Sequence, residues 1–233
     1  MRYLPIFLDV AGRDCVVVGG SEIAARKVES LLEAGASVTV VSPRLSTKLE
    51  ALAARGSLKH VARAYRAGDI EGCSLVYAAT DDPKLHRELV AEARALGIPI
   101  NVADVPELCT FIAPAVVKRG ALQIAISTSG TSPAFAARIR RSLEQQFGAE
   151  YALTLKVLHA ARRRLRGDEI DLAERMRRLT ALANSQLPEA IAAGDIAAID
   201  RILAAHLGAG FNLAELGIDL SSLEPSRASE SVR

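Results

Sequence analysis

Asp14-Cys15-Val16-Val17-Val18-Gly19-Gly20-Ser21-Glu22-Ile23-Ala24 is the stretch on which the fold turns. An apolar run ends in two glycines and passes straight into helical spacing, which leaves a helix N-terminus open to an anion. A dinucleotide phosphate is the first ligand this order suggests, and an ordinary tight strand-to-helix turn is the alternative. Counted from Gly19, the G-x-G-x-x-G/A spacing puts Ser21 at the second glycine position and Ala24 at the accepted third.

On either side of this unit, short β-rich runs alternate with helical patterns up to about residue 104. Strands are expected at 14–18, 37–41, 57–61, 74–79 and 98–103, and helices at 22–34, 44–54 and 83–96. Pro83 suits the first helical position behind Asp81-Asp82, while Gly35 and Gly97 suit helix ends. The pattern then changes. Segments 112–117 and 121–127 form a hairpin joined at Lys118-Arg119-Gly120, and from Pro133 to about Leu207 the spacing is helical with one loop around 166–168. The fold class expected is therefore α/β: a Rossmann-like parallel sheet, a β-hairpin dimerisation segment and a C-terminal helical domain. The boundaries fall at 1–111 for the nucleotide-binding domain, 112–148 for the dimerisation segment, 149–210 for the helices and 211–233 for a tail, whose polar part from 221 is expected to be disordered.

With 233 residues, half of them hydrophobic and none of them Trp, the core must be built from Ala, Val, Leu and Ile. A net charge of +2 gives no bulk attraction to nucleic acid or to a membrane surface. Residues 1–10 lack a signal-peptide core, and no apolar run approaches the roughly 20 residues of a membrane helix, so a cytoplasmic location is expected. Cys15, Cys73 and Cys109 show neither disulfide nor zinc spacing, and Cys15 and Cys73 fall in strand-like runs as small buried groups. His60, His86, His159 and His206 are scattered without ligand spacing.

In a doubly wound sheet the residues just beyond the strands share one crevice. Here these are Gly19, Gly20, Ser21, Glu22 and Ile23, then Ser42, Pro43 and Arg44, then Thr80 with Asp81-Asp82, and finally Asp104. The second strand carries no carboxylate to grip an adenosine ribose. Ser42 can serve the ribose and Arg44 a 2′-phosphate, so NAD and NADP stay open on chemistry alone. Asp104 can take a proton beside a nicotinamide or simply cap a turn. Asn101 projects the same way, towards substrate or a backbone group.

Ser127, Thr128, Ser129, Gly130, Thr131 and Ser132 pack hydroxyls and amides ahead of Pro133, an arrangement that holds a carboxylate or caps a helix. Arg138, Arg140 and Arg141 follow, then Arg162-Arg163-Arg164 and Arg166. Arginine forks suit a ligand with many carboxylates, and they equally suit a solvated helical face.

Tyr3-Leu4-Pro5-Ile6-Phe7, Val18-Gly19-Gly20 with Ala24-x-Arg26-Lys27, Ala79-Thr80-Asp81-Asp82, Asn101-Val102-x-Asp104, Phe111-Ile112-x-Pro114 and Ser127-x-x-Gly130-Thr131-Ser132-Pro133 form six ordered blocks. In order and spacing they resemble the precorrin-2 dehydrogenase/sirohydrochlorin ferrochelatase family, the N-terminal region of siroheme synthases, over about residues 1–165. The resemblance implies NAD-dependent dehydrogenation of precorrin-2 to sirohydrochlorin, followed by insertion of ferrous iron as a substrate to give siroheme. It implies a homodimer, a catalytic role for Asp104, NAD contacts at Glu22-Ile23 and Pro43-Arg44, and tetrapyrrole carboxylates as partners for the Ser/Thr loop and Arg138. It also implies that precorrin-2 is made by a separate protein, because the methyltransferase domain of longer siroheme synthases is not among these residues.

Two positions depart from the family pattern. Ser21 replaces a glycine, and Thr128 stands where some members carry a phosphorylatable serine. A competing class is a nucleotide-sensing Rossmann module without catalysis. A short-chain oxidoreductase with a Tyr-x-x-x-Lys pair is not supported, since Tyr3, Tyr65, Tyr77 and Tyr151 have no lysine four residues on.

Overall fold

The computed structural model describes residues 3–167 and 169–219, so the tail at 221–233 and Asp168 of the expected loop lie outside it. By its contacts the chain divides into two compact units, one of residues 1–113 with 129–131, the other of 114–128 with 132–233.

The first unit is a five-stranded parallel sheet in the order β3-β2-β1-β4-β5. Its central strand, β1 (Asp14–Val18), is buried from Cys15 onward, as a strand covered on both faces must be. β2 (Ser37–Val41) and β4 (Leu75–Ala78) flank it, and β3 (Lys59–Val61) and β5 (Ile100–Val102) form the edges. Strand addition reverses between β1 and β4, which makes their carboxyl ends the switch point where such sheets bind ligands. Alternate residues feed two cores. Cys15, Val17, Val38, Val40 and Tyr77 pack against α1 (Glu22–Glu33) and α2 (Thr47–Ala54), while Val16, Val18, Val76, Ile100 and Val102 pack against α3 (Pro83–Ala95).

The three cysteines are buried and carry thiols, not disulfides. Burial pushes the Cys15 thiol up to about 11, helped by Cys73 and Asp14, so it behaves as a small hydrophobe. Each expected strand and helix of this unit is present, with shorter bounds at six of them. β5 starts at Ile100 because Pro99 has no N–H to donate, although its carbonyl accepts from Val76 at 2.9 Å. The second helix starts at Thr47 rather than 44, because the chain first folds its Arg44 carbonyl back onto the Ser42 hydroxyl.

The second unit opens with an antiparallel hairpin of β6 (Ala115–Arg119) and β7 (Leu122–Ile126), in which Arg119 pairs with Leu122. The turn is therefore Gly120-Ala121, later than expected, with Gly120 at φ 57°, and the first strand begins only after Pro114. The helical stretch is not continuous. α4 (Pro133–Gln146), α5 (Glu150–Leu165), α6 (Leu172–Ala183), α7 (Leu187–Ala192) and α8 (Ile196–Leu207) are separated by breaks beyond the single one expected. Gly194 adopts φ 66° after α7, and Pro188 sits in the first turn of α7, both ordinary helix punctuation. Arg119 closes α4 by donating to the carbonyls of Phe147 at 2.8 Å and Glu144 at 3.0 Å.

Leu165, Leu182, Leu187, Ile191, Ile199 and Leu203 form the fully buried centre of this unit. Phe211, Leu213 and Leu216 are buried in the same core, so its packing continues beyond residue 210. Among the described residues no helix is long and apolar enough to cross a membrane.

Leu203 is wholly buried in this core, and truncating it to Ala leaves a cavity there. Urea unfolding of Leu203→Ala is expected to show a loss of about 3 kcal/mol, within the range for buried Leu-to-Ala changes.

Candidate active site

The glycine turn is held by two close approaches. Gly19 sits at φ 123°, and a Cβ there would fall 2.1 Å from the Ala79 carbonyl oxygen; a Cβ on Gly20 would fall 1.9 Å from that of Arg44. Gly19 N–H donates to Val41 at 3.0 Å and Ser46 N–H to the Gly20 carbonyl at 2.7 Å. The carboxyl ends of β1, β2 and β4 are thereby drawn onto one point.

Ser21 caps α1, its hydroxyl accepting from Ala24 N–H at 3.4 Å. The departure from glycine thus costs the turn one helix-end donor, and Glu22 and Ile23 still present their amides ahead of the intrahelical ladder. Both residues are exposed, as are Pro43 and Arg44 opposite them. Ser42 was expected, with backbone groups as the alternative, at the ribose. It is buried, and its hydroxyl donates to the Arg44 carbonyl at 2.6 Å while its own carbonyl meets His60 Nε2 at 2.9 Å. Its work is to shape the 42–46 loop. Thr80 lines the turn, 3.4 Å from where a Gly19 Cβ would be, and its carbonyl is held by the buried His86 at 2.8 Å. Asp81 and Asp82 divide the helix start, Asp82 accepting from Lys84 and Leu85 amides. These residues suit a dinucleotide: open amides at a helix N-terminus for the pyrophosphate, an exposed Ile23 and Pro43 for apolar contact, and no carboxylate against the adenosine ribose.

Asp104 lies past the end of β5, exposed, with φ 59°. A left-handed non-glycine residue stores strain, and Asp tolerates it better than most. The loop bearing it is clasped from below. Thr110 exchanges bonds with Ile100, accepting its N–H at 2.8 Å through the hydroxyl and donating its own N–H at 2.9 Å. The Cys109 thiol accepts from Val102 N–H at 3.2 Å.

Asn101 was expected to face substrate or to satisfy a backbone group, and the structure gives it a backbone partner. It is buried, and its amide donates to the Phe111 carbonyl at 3.0 Å. β5 is bonded to the 109–111 segment on that side through Ile100 and Thr110.

Lys27, quoted above only within a sequence block, is placed on the packed side of α1. It falls in register with Ala24, Val28 and Leu31 on the packed face of α1, half-buried, its ammonium 5.2 Å from the Tyr77 ring centroid. Burial pulls its ionisation down, and the Asp104 carboxylate opposes that. A lysine at a core-facing helical position was the available signal. His86 carried the same signal, lying in register with the buried Leu89, Val90 and Ala93 of α3.

The Ser/Thr loop is divided. In the first unit Ser129 adopts φ 54°, and a Cβ on Gly130 would lie 4.0 Å from Pro106 Cβ, which sets the loop tip with exposed Thr131 beside the turn that follows Asp104. In the second unit the Thr128 hydroxyl both accepts from Ser132 N–H and donates to its carbonyl, each at 3.1 Å. Ser132 in turn caps α4 through Phe135 N–H at 3.2 Å. Thr128 and Ser132 thus spend their hydroxyls on the helix start, while Ser127 is exposed ahead of it. Arg138 is exposed, its guanidinium 6.0 Å from the Phe135 ring centroid. The other arginines are partly committed: Arg140 pairs with Glu144, and Arg164 lies over Phe211 at 4.6 Å. No cluster of His, Cys, Asp and Glu among the described residues could hold a resident metal.

Comparison with known proteins agrees with this geometry. A family model described as putative NAD(P)-binding matches residues 6–115, and one described as sirohaem biosynthesis protein central matches residues 119–146. The chain is 48% identical to a siroheme synthase of Methylobacillus flagellatus over 151 residues, 65% of this chain and 32% of that protein. It is 38% identical to a siroheme synthase of Pseudomonas aeruginosa over 210 residues, 90% of this chain and 45% of the relative. It therefore spans less than half the length of these curated relatives. Among solved structures, one described as SirC, precorrin-2 dehydrogenase, superposes with a TM-score of 0.68 at 27% identity, covering 80% of this chain and 92% of that one.

The two glycines should differ sharply from their neighbour in thermal denaturation. Gly20→Ala forces a methyl into the Arg44 carbonyl and is expected to cost about 2–4 kcal/mol. Ser21→Ala loses only the cap, about 1 kcal/mol, and Ser21→Gly a few tenths.

Proposed function

Because the chain belongs to the sirohaem-biosynthesis family of siroheme synthase N-terminal regions and precorrin-2 dehydrogenases, we propose that it uses NAD to dehydrogenate precorrin-2 to sirohydrochlorin. We propose further that it inserts ferrous iron into that product to give siroheme. The observation that carries the reading is the exposed Asp104, strained and clasped at the switch-point end of β5, in a chain whose fold follows a precorrin-2 dehydrogenase over most of its length.

NAD, when bound, supplies a nicotinamide that accepts a hydride from the macrocycle. The chain's own residues do the rest. The Glu22 and Ile23 amides hold the pyrophosphate at the N-terminus of α1, with the Gly19-Gly20 turn bringing the backbone close. Pro43 and Arg44 flank the adenosine side. Asp104 takes the proton that leaves the macrocycle with the hydride, so that two electrons and two protons are removed in all, one proton travelling with the electron pair. For chelation, ferrous iron enters as substrate and the two pyrrole protons depart, Asp104 again being the available carboxylate. The tip Ser129-Gly130-Thr131 and the Arg138 guanidinium are candidates for the macrocycle's carboxylates, by hydrogen bonds and by a charged fork respectively.

The functional molecule is proposed to be a homodimer built on the hairpin and α4. A two-stranded sheet is marginal alone, and Val116 on the hairpin and Phe135 on α4 remain 40% and 51% exposed. Three buried cysteines kept as thiols suit a reducing compartment, and we place the protein in the cytoplasm.

The test is anaerobic turnover of precorrin-2 with NAD, read by NADH formation and by the absorbance of the macrocycle, with NADP in parallel and ferrous iron added afterwards. Asp104→Asn is the informative variant, because Asn shares Asp's tolerance of a left-handed backbone and adds no strain to the loop. Its turnover should fall by about 10²-fold or more, with NAD affinity unchanged. Nucleotide binding without turnover by the wild type would refute the enzyme reading. Sedimentation would show a single dimeric species, and a monomer at micromolar concentration would refute the dimer.

A further inference from the structure

α3 carries an imidazole on its packed face. His86 precedes the buried Leu89 and Val90 by three and four residues and is itself 6% exposed. A buried ring must find partners for its polar nitrogens, and Nε2 of His86 lies 2.8 Å from the Thr80 carbonyl oxygen. A carbonyl only accepts, so Nε2 carries the proton and donates it. The bond closes the connection between β4 and α3, in which the Asp82 N–H donates to the Thr80 hydroxyl at 3.4 Å and the Asp82 carboxylate caps the helix.

Holding that carbonyl also sets the next amide. The described residues contain no cis peptide bond, so the C=O and N–H of the Thr80–Asp81 unit point in opposite directions. With the carbonyl turned in towards α3, the Asp81 N–H is turned away from that helix, at an exposed residue, and it has no acceptor among the described residues. Thr80 adjoins the glycine turn, its Cγ2 3.4 Å from where a Gly19 Cβ would be, so this amide opens beside the switch point between β1 and β4. On the other flank His60 Nε2 holds the Ser42 carbonyl at 2.9 Å, but there the next residue is Pro43, whose nitrogen has no hydrogen to present.

Resting on the function proposed above, we infer that His86 is a positioning residue for the cofactor: through the Thr80 carbonyl it turns the Asp81 N–H towards the nicotinamide half of NAD. Strand order assigns the half. The end of β2 carries Pro43 and Arg44 on the adenosine side, and the glycine turn with α1 takes the pyrophosphate. The ends of β4 and β5, with Thr80 and Asp104, are left for the nicotinamide and its ribose. Both groups offer oxygen acceptors, a carboxamide carbonyl and ribose hydroxyls. A backbone donor already fixed by a buried ring meets them with no side chain left to order.

Binding and NMR test this on the full chain, with NAD and with ADP, which lacks the nicotinamide half. His86→Leu suits an apolar helix face. It is expected to weaken NAD about fivefold, as for the loss of one hydrogen bond, and to leave ADP affinity unchanged. His86→Gln, whose side-chain amide donates in place of Nε2, should restore most of the NAD affinity. Equal NAD affinity in His86→Leu and wild type would overturn the role, and so would a parallel loss for NAD and ADP, the mark of general damage to the fold. In the wild type the Asp81 amide resonance should shift on saturation with NAD and stay in place with ADP. An amide that ignores NAD would overturn the proposal without any variant. NAD binding without turnover would refute the function proposed above, and the affinities and the Asp81 resonance would still decide the part played by His86.

Discussion

Everything in the first unit depends on a steric constraint at the end of β1. The Gly19–Gly20 peptide is wedged between the Ala79 carbonyl beyond β4 and the Arg44 carbonyl beyond β2, at distances that leave no room for a Cβ at either position. This closeness is what makes the three central strands end together. It also seats α1 so that its first amides face outward over the switch point. The bonds Gly19 to Val41 and Ser46 to Gly20 are consequences of that approach as much as causes.

The other half of the site is held by a different device. Asp104 occupies a strained backbone position, and strain persists only where the surroundings over-determine it. Here the 109–111 segment runs back along β5, with Thr110 bonded twice to Ile100, the Cys109 thiol against Val102 and the Asn101 amide on Phe111. A carboxylate on a free loop would sample many directions. On this loop it is confined, which is the requirement for a group that must meet a proton at one place.

Much of the fold was legible in the residues. The five parallel strands and three helices of the first unit follow from apolar runs alternating with 3.6-residue periodicity, and the caps Ser21 and Asp82 stand where their side chains predict. The helical half was less legible. One amphipathic stretch from Pro133 onward hid three breaks besides the loop expected around 166–168, because Ala- and Leu-rich turns carry the same periodicity on both sides of a short loop, and only packing decides where the chain reverses. Residues 211–218 appeared to be the start of a tail, yet Phe211, Leu213 and Leu216 complete that unit's core.

The candidate site shows the same division. The residues alone determined that a strand, a glycine turn and a helix start would face Ser42-Pro43-Arg44, Thr80 and Asp104, since strand order in a parallel sheet sends all carboxyl ends to one edge. Six ordered blocks also determined the family. What only the tertiary structure decided is which of these side chains are available. Ser42 and Asn101 bond to backbone, Thr128 is consumed by Ser132, and Lys27 lies over the Tyr77 ring. Hydrogen-bond partners distant in sequence settle such questions, and no local pattern records them: a polar side chain serves a ligand only if the fold has not already claimed it.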